Sequence, residues 1–396
     1  MVAALPFPLA QGSQIYVAGQ ALALARAGAE VTVFCYGHGD AEDDTSPVSP
    51  TALREAGVAF RRAPGLFSRT PLRAGPSLGK PLADAALLAS LASEARRGRF
   101  DVVLAHNAEA GAIALSARPL LGAPVVYVAH TLLQRELASY LPAPAERLAT
   151  AAGGRIDAWL AGSSDAVITV SRAAQAELSA LASGRAVWIP PALDAGPVPS
   201  RDEIAAACGR AGLPVNGFVL YAGNLDAYQE LDLLAKAARL VARERGRTAP
   251  PIAVVTHDHE RRAPAPLRLV RVRSYAEART LGFAASLAVL ARRSPGGSPI
   301  KLLNYMEAGR AIVAFAGVSE GLLHGREAWL VPPKAGAAGL ARTLGQLASM
   351  PAVAAQLGGA ARRRLERMHS TRDLAERTLA FLALVRERGA HPGGDA

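Results

Sequence analysis

The segment Ser294–Gly309 combines residue types that suit the binding of an anion. Ser298 is a favourable N-cap, Pro299 a favourable first helical residue and Gly309 a favourable C′ residue, which together predict a helix over about Pro299–Ala308. The first turn of a helix leaves N–H groups unpaired and carries the positive end of the dipole, so it attracts phosphate. This segment is the first candidate for a ligand-binding site.

Residues beside the predicted helix start strengthen that interpretation. Gly296 and Gly297 allow the backbone to approach a ligand closely. Lys301 lies in the first turn, where a cation is unfavourable by roughly a few tenths of a kcal/mol unless an anion is bound. Ile300 contributes to the buried face of the helix. The alternative is an ordinary Gly-Ser-Pro helix start with a solvated lysine.

Polar residues also follow several predicted strands. Gly223 and Asn224 come directly after the strand Phe218–Ala222, at a place where a doubly wound domain contacts its ligand. His130 and His106 each end a strand of the first half. A structural role explains a lone histidine at least as readily as catalysis.

A further polar loop, Pro8–Gln14, joins the first strand to the first helix and contains Gly12 and Ser13. It lacks the full G-x-G-x-x-G pattern, which argues against a nicotinamide-dependent dehydrogenase.

The elements that must position these residues are βα units. Residues 1–189 alternate short apolar runs with helical patterns, and the alternation restarts at Phe218. The predicted strands are Met1–Pro6, Glu30–Tyr36, Asp101–Ala105, Pro124–Ala129, Ala166–Val170, Ala186–Ile189, Phe218–Ala222, Ile252–Thr256, Leu267–Val272, Leu287–Leu290, Ala311–Ala314 and Ala328–Val331. This order predicts parallel sheets with right-handed crossovers.

The Pro-rich stretch from Pro190 to Arg201 suits a hinge. We therefore predict an α/β protein with two doubly wound Rossmann-like lobes and an interdomain ligand cleft. The N-terminal lobe spans residues 1–195 and the C-terminal lobe residues 196–371. Residues 372–396 form a long amphipathic helix and a tail.

The composition agrees with this architecture. The chain has 396 residues, of which 51% are hydrophobic and 5% aromatic, so Ala, Leu and Val must fill the core. No apolar run is long enough to span a bilayer, and no signal peptide is evident. Cys35 and Cys208 lack partners at metal-ligand spacing. We expect a cytoplasmic protein.

The net charge of +11 is spread along the whole chain. No zinc-ligand pattern, RNA-binding aromatic signature or long basic helix accompanies it, so we expect no nucleic-acid partner. Compositional background, nucleotide phosphates and an anionic membrane surface remain as explanations. The stretch Arg61–Lys80 is basic and contains apolar residues, which suits peripheral contact with the inner face of a membrane or with an acceptor; a solvated loop is the alternative.

Taken in order, these motifs resemble those of GT-B glycosyltransferases of the retaining family 4. The resemblance covers nearly the whole chain. Its segments are the Gly12 loop, Glu30-Val-Thr-Val33, Asp101-Val-Val-Leu-Ala-His-Asn107, Tyr127-Val-Ala-His-Thr131, Asp165-Ala-Val-Ile-Thr-Val-Ser171, Ile189-Pro-Pro-Ala-Leu-Asp194, Tyr221-Ala-Gly-Asn-Leu-Asp226 and the helix Pro299–Gly309.

The resemblance implies sugar transfer from a nucleotide-diphosphate donor, with retention, to a glycan or lipid-linked acceptor of cell-surface polysaccharide synthesis. It implies no cofactor and no metal ion, and the sequence has no Asp-x-Asp motif. It also implies that the C-terminal helix crosses back to the first lobe. By position, Gly12 faces the donor phosphates and His130 lies by the donor sugar. The other implied donor-binding residues are Ser13, Gly223, Asn224, Gln229, Gly297, Ser298, Pro299, Ile300 and Asn304.

The sequence departs from the family at charged positions. The usual pair of glutamates falls at Gly296 and Asn304, and the usual Arg and Lys that hold the diphosphate fall near Asn224 and Gln229. Losing two cations beside a developing dianion weakens transition-state stabilisation by several kcal/mol unless other cations replace them.

Arg293 and Lys301 are the candidate replacements, and with His130 they complete the predicted catalytic set. Two other functions stay open. One is a GT-B-shaped binding subunit with impaired catalysis, which the lost charges favour. The other is a nucleotide-sugar epimerase, which the shortage of carboxylates disfavours because epimerisation needs positioned bases.

Overall fold

A computed structural model describes residues 1–7, 12–37, 45–64, 79–139, 143–294 and 297–390. The strands in these ranges are β1 Val2–Ala3, β2 Thr32–Cys35, β3 Ala59–Arg62, β4 Val103–His106, β5 Val125–Ala129, β6 Ala166–Thr169, β7 Ala186–Trp188, β8 Val219–Ala222, β9 Ile252–Thr256, β10 Arg268–Arg271, β11 Leu287–Leu290, β12 Ala311–Phe315 and β13 Trp329–Val331.

The helices are α1 Gly12–Arg26, α2 Pro50–Glu55, α3 Lys80–Ala95, α4 Asn107–Leu121, α5 Leu133–Ser139, α6 Ala143–Ser163, α7 Arg172–Leu181, α8 Arg201–Ala211, α9 Leu231–Arg245, α10 Tyr275–Ala284, α11 Lys301–Glu307, α12 Gly336–Ala348, α13 Pro351–Met368 and α14 Thr371–Ala390. Short 3-10 helices lie at Ala227–Gln229, Gly246–Thr248 and Pro333–Ala335.

The chain divides into two compact units. The first comprises Met1–Ala192, Gly296–Ser298 and Thr371–Ala396, and the second comprises Leu193–Pro295 and Pro299–Ser370. Helix α14 therefore belongs to the first unit. It packs on α1, where Gln20 Nε2 donates to Thr378 Oγ1 at 3.4 Å between two fully buried side chains.

The first unit contains a parallel sheet with strand order β3-β2-β1-β4-β5-β6-β7. The second unit contains a parallel sheet with order β10-β9-β8-β11-β12-β13. In each sheet the strand order reverses at a switch point, between β1 and β4 and between β8 and β11, which is where doubly wound domains bind ligands. The predicted α/β, doubly wound architecture is confirmed.

Both faces of the second sheet are buried, as its apolar strands require. Along β8, Val219 and Tyr221 enter the core on one face, and Leu220 enters the core on the other. This alternation decides which side chains leave the sheet near its carboxyl edge, and it places Tyr221 fully buried at the end of β8.

Candidate functional site

The ammonium group of Lys301 lies at the carboxyl end of β8. Its Nζ donates to Tyr221 Oη at 2.8 Å and to Gln229 Oε1 at 2.9 Å, and it lies 4.0 Å from the centre of the Tyr221 ring. Tyr221 Oη in turn donates to the carbonyl of Asn224 at 2.8 Å, so its lone pair is free to accept from the lysine. We call Lys301, Tyr221, Gln229 and Arg292 the lysine cluster.

The ammonium group of Lys301 has no direct ion-pair partner among the described residues. Both groups that accept from Lys301 are neutral, and no carboxylate within the described ranges forms an ion pair with it. Burial lowers the pKa of Lys301 well below its usual value, the nearby Arg292 lowers that pKa further, and the carboxylate of Asp226 raises it only in part. A bound anion would oppose this lowering of the pKa, because it would place a further negative charge beside the ammonium group.

Gly223 makes room for the lysine. Its φ of 141° lies outside the range that side chains favour, and a Cβ at this position would lie 2.7 Å from Lys301 Nζ. The glycine is therefore required twice, by the backbone turn after β8 and by the approach of the ammonium group.

Arg292 is a site residue that the sequence reasoning missed. It lies two residues after the end of β11, across the switch point from β8, and it is 8% exposed. Burial lowers its pKa, while Tyr228, Glu320 and Tyr221 act in the opposite direction. Arg292 could have been predicted from its position shortly after a switch-point strand. The residue predicted from the sequence was instead the neighbouring Arg293.

Arg293 itself is held in an ion pair. Its Nε and Nη2 donate to Glu230 Oε1 at 2.9 and 2.5 Å, and its side chain is 46% exposed. The backbone N–H of Arg293 donates to the other oxygen of the same carboxylate at 2.5 Å. The charge of Arg293 is thus compensated, in contrast to that of Lys301.

Asn224 belongs to the polar loop beside the cluster. Its Nδ2 donates to Asp226 Oδ2 at 2.6 Å and to Tyr228 Oη at 3.1 Å. Arg261 forms an ion pair with the same Asp226. Asn224 therefore supplies no charge, and its amide orients a carboxylate that is already paired.

The predicted start of the donor helix is wrong. Helix α11 begins at Lys301, with Ile300 at the N-cap position and no side-chain cap. Pro299 and Ile300 instead accept short-range bonds from Leu302 and Leu303, which form a tight turn before the helix. Ser298, half-buried in this turn, does not cap the helix as predicted.

Two polar residues of α11 differ in their surroundings. Asn304 Oδ1 accepts from Tyr275 Oη at 3.2 Å, while its Nδ2 donates to none of the residues that the structure describes. Glu307 is 1% exposed and accepts from Arg279 Nε and Nη2 at 2.9 and 2.7 Å and from the N–H of Gly196 at 3.0 Å. All three bonds reach Oε1 of Glu307, and its Oε2 is buried with no hydrogen-bonding partner among the described residues, whereas Asn304 keeps a free donor.

In the first unit, His130 lies against His106. Nδ1 of His106 and Nε2 of His130 are 3.0 Å apart, and the rings are 0% and 4% exposed, respectively. The edge of the Tyr16 ring packs on His130 with centroids 5.0 Å apart. Burial lowers the pKa of His130 to about 3, and burial followed by the charge of His130 lowers that of His106. We call His106 and His130 the histidine pair; both rings are neutral at pH 7.

Other predicted residues lie apart from these clusters. Gly12 and Ser13 are the first two residues of α1; Gly12 is exposed and Ser13 is half-buried. Residues 8–11 of their loop lie outside the described residues. Gly297 belongs to the first unit, where a Cβ at its position would lie 2.5 Å from the carbonyl oxygen of His130. Gly296 lies outside the described residues.

The basic stretch Arg61–Lys80 is described only at its ends. Arg61 belongs to β3, an edge strand that the sequence did not predict, and Lys80 begins α3, where its Nζ donates to Glu109 Oε1 at 3.0 Å. Residues 65–78 lie outside the described residues. None of the helices within the described ranges has the length and apolar character needed to cross a bilayer.

The model for Glycosyltransferase Family 4 matches residues 10–196, and the model for Glycosyl transferases group 1 matches residues 217–350. The chain is a GT-B, family 4-like glycosyltransferase. The predicted family is confirmed. No curated protein matches this glycosyltransferase significantly.

Solved structures similar to this glycosyltransferase share its fold. HepE from Anabaena, in complex with UDP-glucose, is 16% identical with a TM-score of 0.74, over 97% of this chain and 99% of that protein. Sucrose-phosphate synthase from Thermosynechococcus elongatus is 18% identical with a TM-score of 0.74, over 98% of each chain. WaaG, a glycosyltransferase involved in lipopolysaccharide biosynthesis, is 15% identical with a TM-score of 0.65, over 100% of this chain and 99% of WaaG.

Proposed function

We propose that this glycosyltransferase moves a hexosyl group from a nucleotide-diphosphate sugar to a glycan or lipid-linked acceptor, with retention of configuration and without a metal ion. The observation that carries the proposal is the buried ammonium group of Lys301 at the carboxyl end of β8, which forms no ion pair with a carboxylate of the described residues. A phosphate oxygen is the ligand that this group lacks, and a charge-assisted bond to it is roughly twice as strong as a neutral one.

Lys301 belongs to α11, and its ammonium group takes the place of a cation that family 4 usually carries in the loop after β8. Its ammonium group is 2.9 Å from Gln229 Oε1, and Gln229 stands near the position where family 4 usually carries a lysine. The charge lost from the loop after β8 is therefore supplied by α11. Arg292 is the second cation of the same cluster. This arrangement favours an active transferase over a binding subunit that has lost its hold on the diphosphate.

The chemistry follows from this placement. The bond between the anomeric carbon and the β-phosphate oxygen breaks and its electron pair leaves with the diphosphate. An acceptor hydroxyl oxygen bonds to the anomeric carbon, and its proton passes to the departing phosphate oxygen. Lys301 and Arg292 stabilise the charge that develops on the leaving group, which is the largest contribution that this site offers to catalysis. The free Nδ2 of Asn304 is a donor for a ribose hydroxyl.

Three similar structures support a UDP donor, because HepE was solved with UDP-glucose, with UDP and glucose, and with UDP. The part of WaaG in lipopolysaccharide biosynthesis supports a cell-surface glycan as acceptor. We expect donor turnover in the presence of EDTA, because protein cations carry out the role that a metal ion would otherwise have. A cytoplasmic location and contact with the membrane surface through Arg61–Lys80 are part of the proposal.

A charge-relocation experiment tests the donor site. Calorimetry with UDP- and GDP-sugars is expected to show binding of one donor class to the wild type. Lys301→Gln should weaken it about 100-fold, and Gln229→Lys in that background should restore most of the affinity, since the ammonium group returns to the same place from the other element. Lys236→Gln, on the exposed face of α9, is the matched control.

Failure to bind any nucleotide sugar would overturn the enzymatic proposal. Equal affinities of the wild type and Lys301→Gln would overturn the role of Lys301 alone. The products are then identified with a membrane lipid extract as the source of acceptors, and the anomeric coupling in the NMR spectrum of the product shows whether configuration is retained.

A further inference from the structure

The histidine pair imposes a rule on where its protons lie. His106 Nδ1 and His130 Nε2 are 3.0 Å apart, so one nitrogen carries a hydrogen and the other presents a lone pair. Both rings are buried, and two imidazolium ions at this distance would repel each other strongly in a medium of low dielectric constant. Two neutral rings therefore share one hydrogen bond, in one of two directions.

The other nitrogen of His106 decides the direction. Its Nε2 is fully buried and has no hydrogen-bonding partner among the described residues. A hydrogen on Nε2 would be a buried N–H without an acceptor, and such groups are rare because the donor loses water and gains nothing. The hydrogen of His106 belongs on Nδ1, from which it is donated to His130 Nε2.

The remaining hydrogen of His130 must then lie on its Nδ1, because Nε2 is the acceptor of the pair. The Nδ1 of His130 makes no hydrogen bond to any residue in the described ranges. We infer that His106 is a positioning residue that holds His130 in the Nδ1–H tautomer, so that His130 presents a neutral N–H donor to an uncharged ligand oxygen. With respect to the ligand, a sugar hydroxyl, the inference rests on the proposed function.

The fold holds both rings in place for this role. His106 is the last residue of β4, and β4 pairs in register with β5, which ends one residue before His130. Tyr16 of α1 packs its ring on both imidazoles, with centroids 6.2 Å from His106 and 5.0 Å from His130. The Tyr16 hydroxyl is turned away, toward the carbonyl of Ile189 at 3.3 Å, so it does not compete for the histidine nitrogens.

Nitrogen-15 NMR of histidine-labelled protein tests the inference without any need for activity. Two-bond correlations distinguish the pyrrole-type nitrogen, which carries hydrogen, from the pyridine-type nitrogen. His130→Asn assigns the signals. We expect His130 to be pyrrole-type at Nδ1 and pyridine-type at Nε2, and His106 to be pyrrole-type at Nδ1. A wild-type spectrum with hydrogen on His130 Nε2 overturns the inference.

Two variants of His106 separate positioning from packing. In His106→Leu the donor is lost, and His130 is expected to become a mixture of tautomers. In His106→Asn the amide lies where Nδ1 was and donates in its place, so the single tautomer should return. Tyr16→Phe is the control, since it keeps the ring and removes a hydroxyl that bonds elsewhere. An unchanged tautomer in folded His106→Leu overturns the role of His106; if that variant does not fold, the wild-type spectrum decides alone.

A specificity measurement adds the ligand. The substrates are a series of donors that each lack one sugar hydroxyl. For the wild type, kcat/KM should fall about 10-fold when the hydroxyl that His130 contacts is missing. The loss should be smaller in His106→Leu and should return in His106→Asn. A fixed tautomer with no hydroxyl preference overturns the sugar as ligand and leaves the positioning role intact. Absence of any donor binding instead contradicts the proposed function.

Discussion

The histidine pair and the lysine cluster occupy equivalent places in their sheets, at the carboxyl ends of strands beside the switch point, yet they differ in charge. The histidines are neutral and their facing nitrogens satisfy each other. The lysine is a buried ammonium group that donates to two neutral acceptors, with a second cation nearby and the carboxylate of Asp226 acting on it only from outside hydrogen-bonding contact. The first arrangement suits uncharged hydroxyl groups, and the second suits phosphate.

The comparison also shows where stability is given up for binding. Burying two neutral groups costs little folding free energy once they are hydrogen-bonded to each other. Burying an ammonium group without an ion-pairing carboxylate is unfavourable until a ligand supplies the negative charge. We therefore expect the lysine cluster, and not the histidine pair, to become more stable when its central residue is replaced by an apolar one.

Lys301→Met tests this expectation and should have the largest effect on binding. Removing the charge should weaken donor binding about 100-fold, because a charge-assisted bond to phosphate is lost. The same change should raise the melting temperature of the free protein, since a buried cation without an ion-pairing carboxylate disappears. The lowered pKa of Lys301 agrees with this direction. Because the folded protein holds a proton on Lys301 less tightly than the unfolded chain does, the free energy of unfolding falls as the pH decreases and the lysine becomes charged.

Thermal melts and calorimetry of Lys301→Met and of Lys236→Met, an exposed lysine on α9, provide the comparison. A destabilised Lys301→Met with intact donor binding would show that the ammonium group serves the fold instead of the ligand.

Acidification should expose the opposite property of the histidine pair. The folded pKa of His130 is about 3 and its ordinary value is 6.5, so the unfolded chain binds a proton first and stability is lost as the pH falls from 6.5 toward 3. Between pH 7 and pH 5 this should cost about 2 kcal/mol of unfolding free energy.

Urea midpoints at the two pH values measure the effect. His130→Asn removes the titrating ring, so its midpoint should fall less on acidification than that of the wild type, whereas the exposed His259→Asn should behave like the wild type. The same acid sensitivity in wild type and His130→Asn would contradict a neutral buried pair.

Gly223→Ala should disturb the lysine cluster without removing any charge. The new methyl group would lie 2.7 Å from Lys301 Nζ, and the residue would keep a φ of 141° that suits glycine. We expect donor affinity to fall about 10-fold and stability to decrease. Calorimetry and melting temperatures check both.

The control for that variant is Gly282→Ala within α10, where the nearest atom to a new Cβ is 3.8 Å away and a small gain in stability is expected. If both substitutions have the same effect on donor affinity, the proximity of Gly223 to the ammonium group is irrelevant to binding.

The sequence predicted the fold better than the site, for a physical reason. The strands Ile252–Thr256 and Leu287–Leu290 are buried on both faces and appear as continuous apolar runs, so their bounds were predicted to the residue. β3, with the sequence Ala-Phe-Arg-Arg, is an exposed edge strand and has no such run, so it was not predicted.

Site geometry depends on contacts between distant segments. The bond between Lys301 and Gln229 spans 72 positions and that between His106 and His130 spans 24, and neither follows from local spacing. Lys301 itself was found because a cation in a first helical turn is anomalous. Its pairing with Tyr221 needed the structure.

Arg293→Ala should have the smallest effect, which sharpens the distinction between a compensated and an uncompensated cation. Arg293 is 46% exposed and is already bound to Glu230, and exposed ion pairs contribute about 0–1 kcal/mol. Donor affinity and kcat should change less than about 3-fold, because the guanidinium group has no unsatisfied charge to offer. Glu230→Gln is the informative partner variant: it frees Arg293 while leaving Lys301 in place. If Arg293→Ala abolished turnover and Glu230→Gln increased it, Arg293 would exchange Glu230 for the donor during the reaction, and charge compensation in the free protein would no longer distinguish binding cations from structural ones.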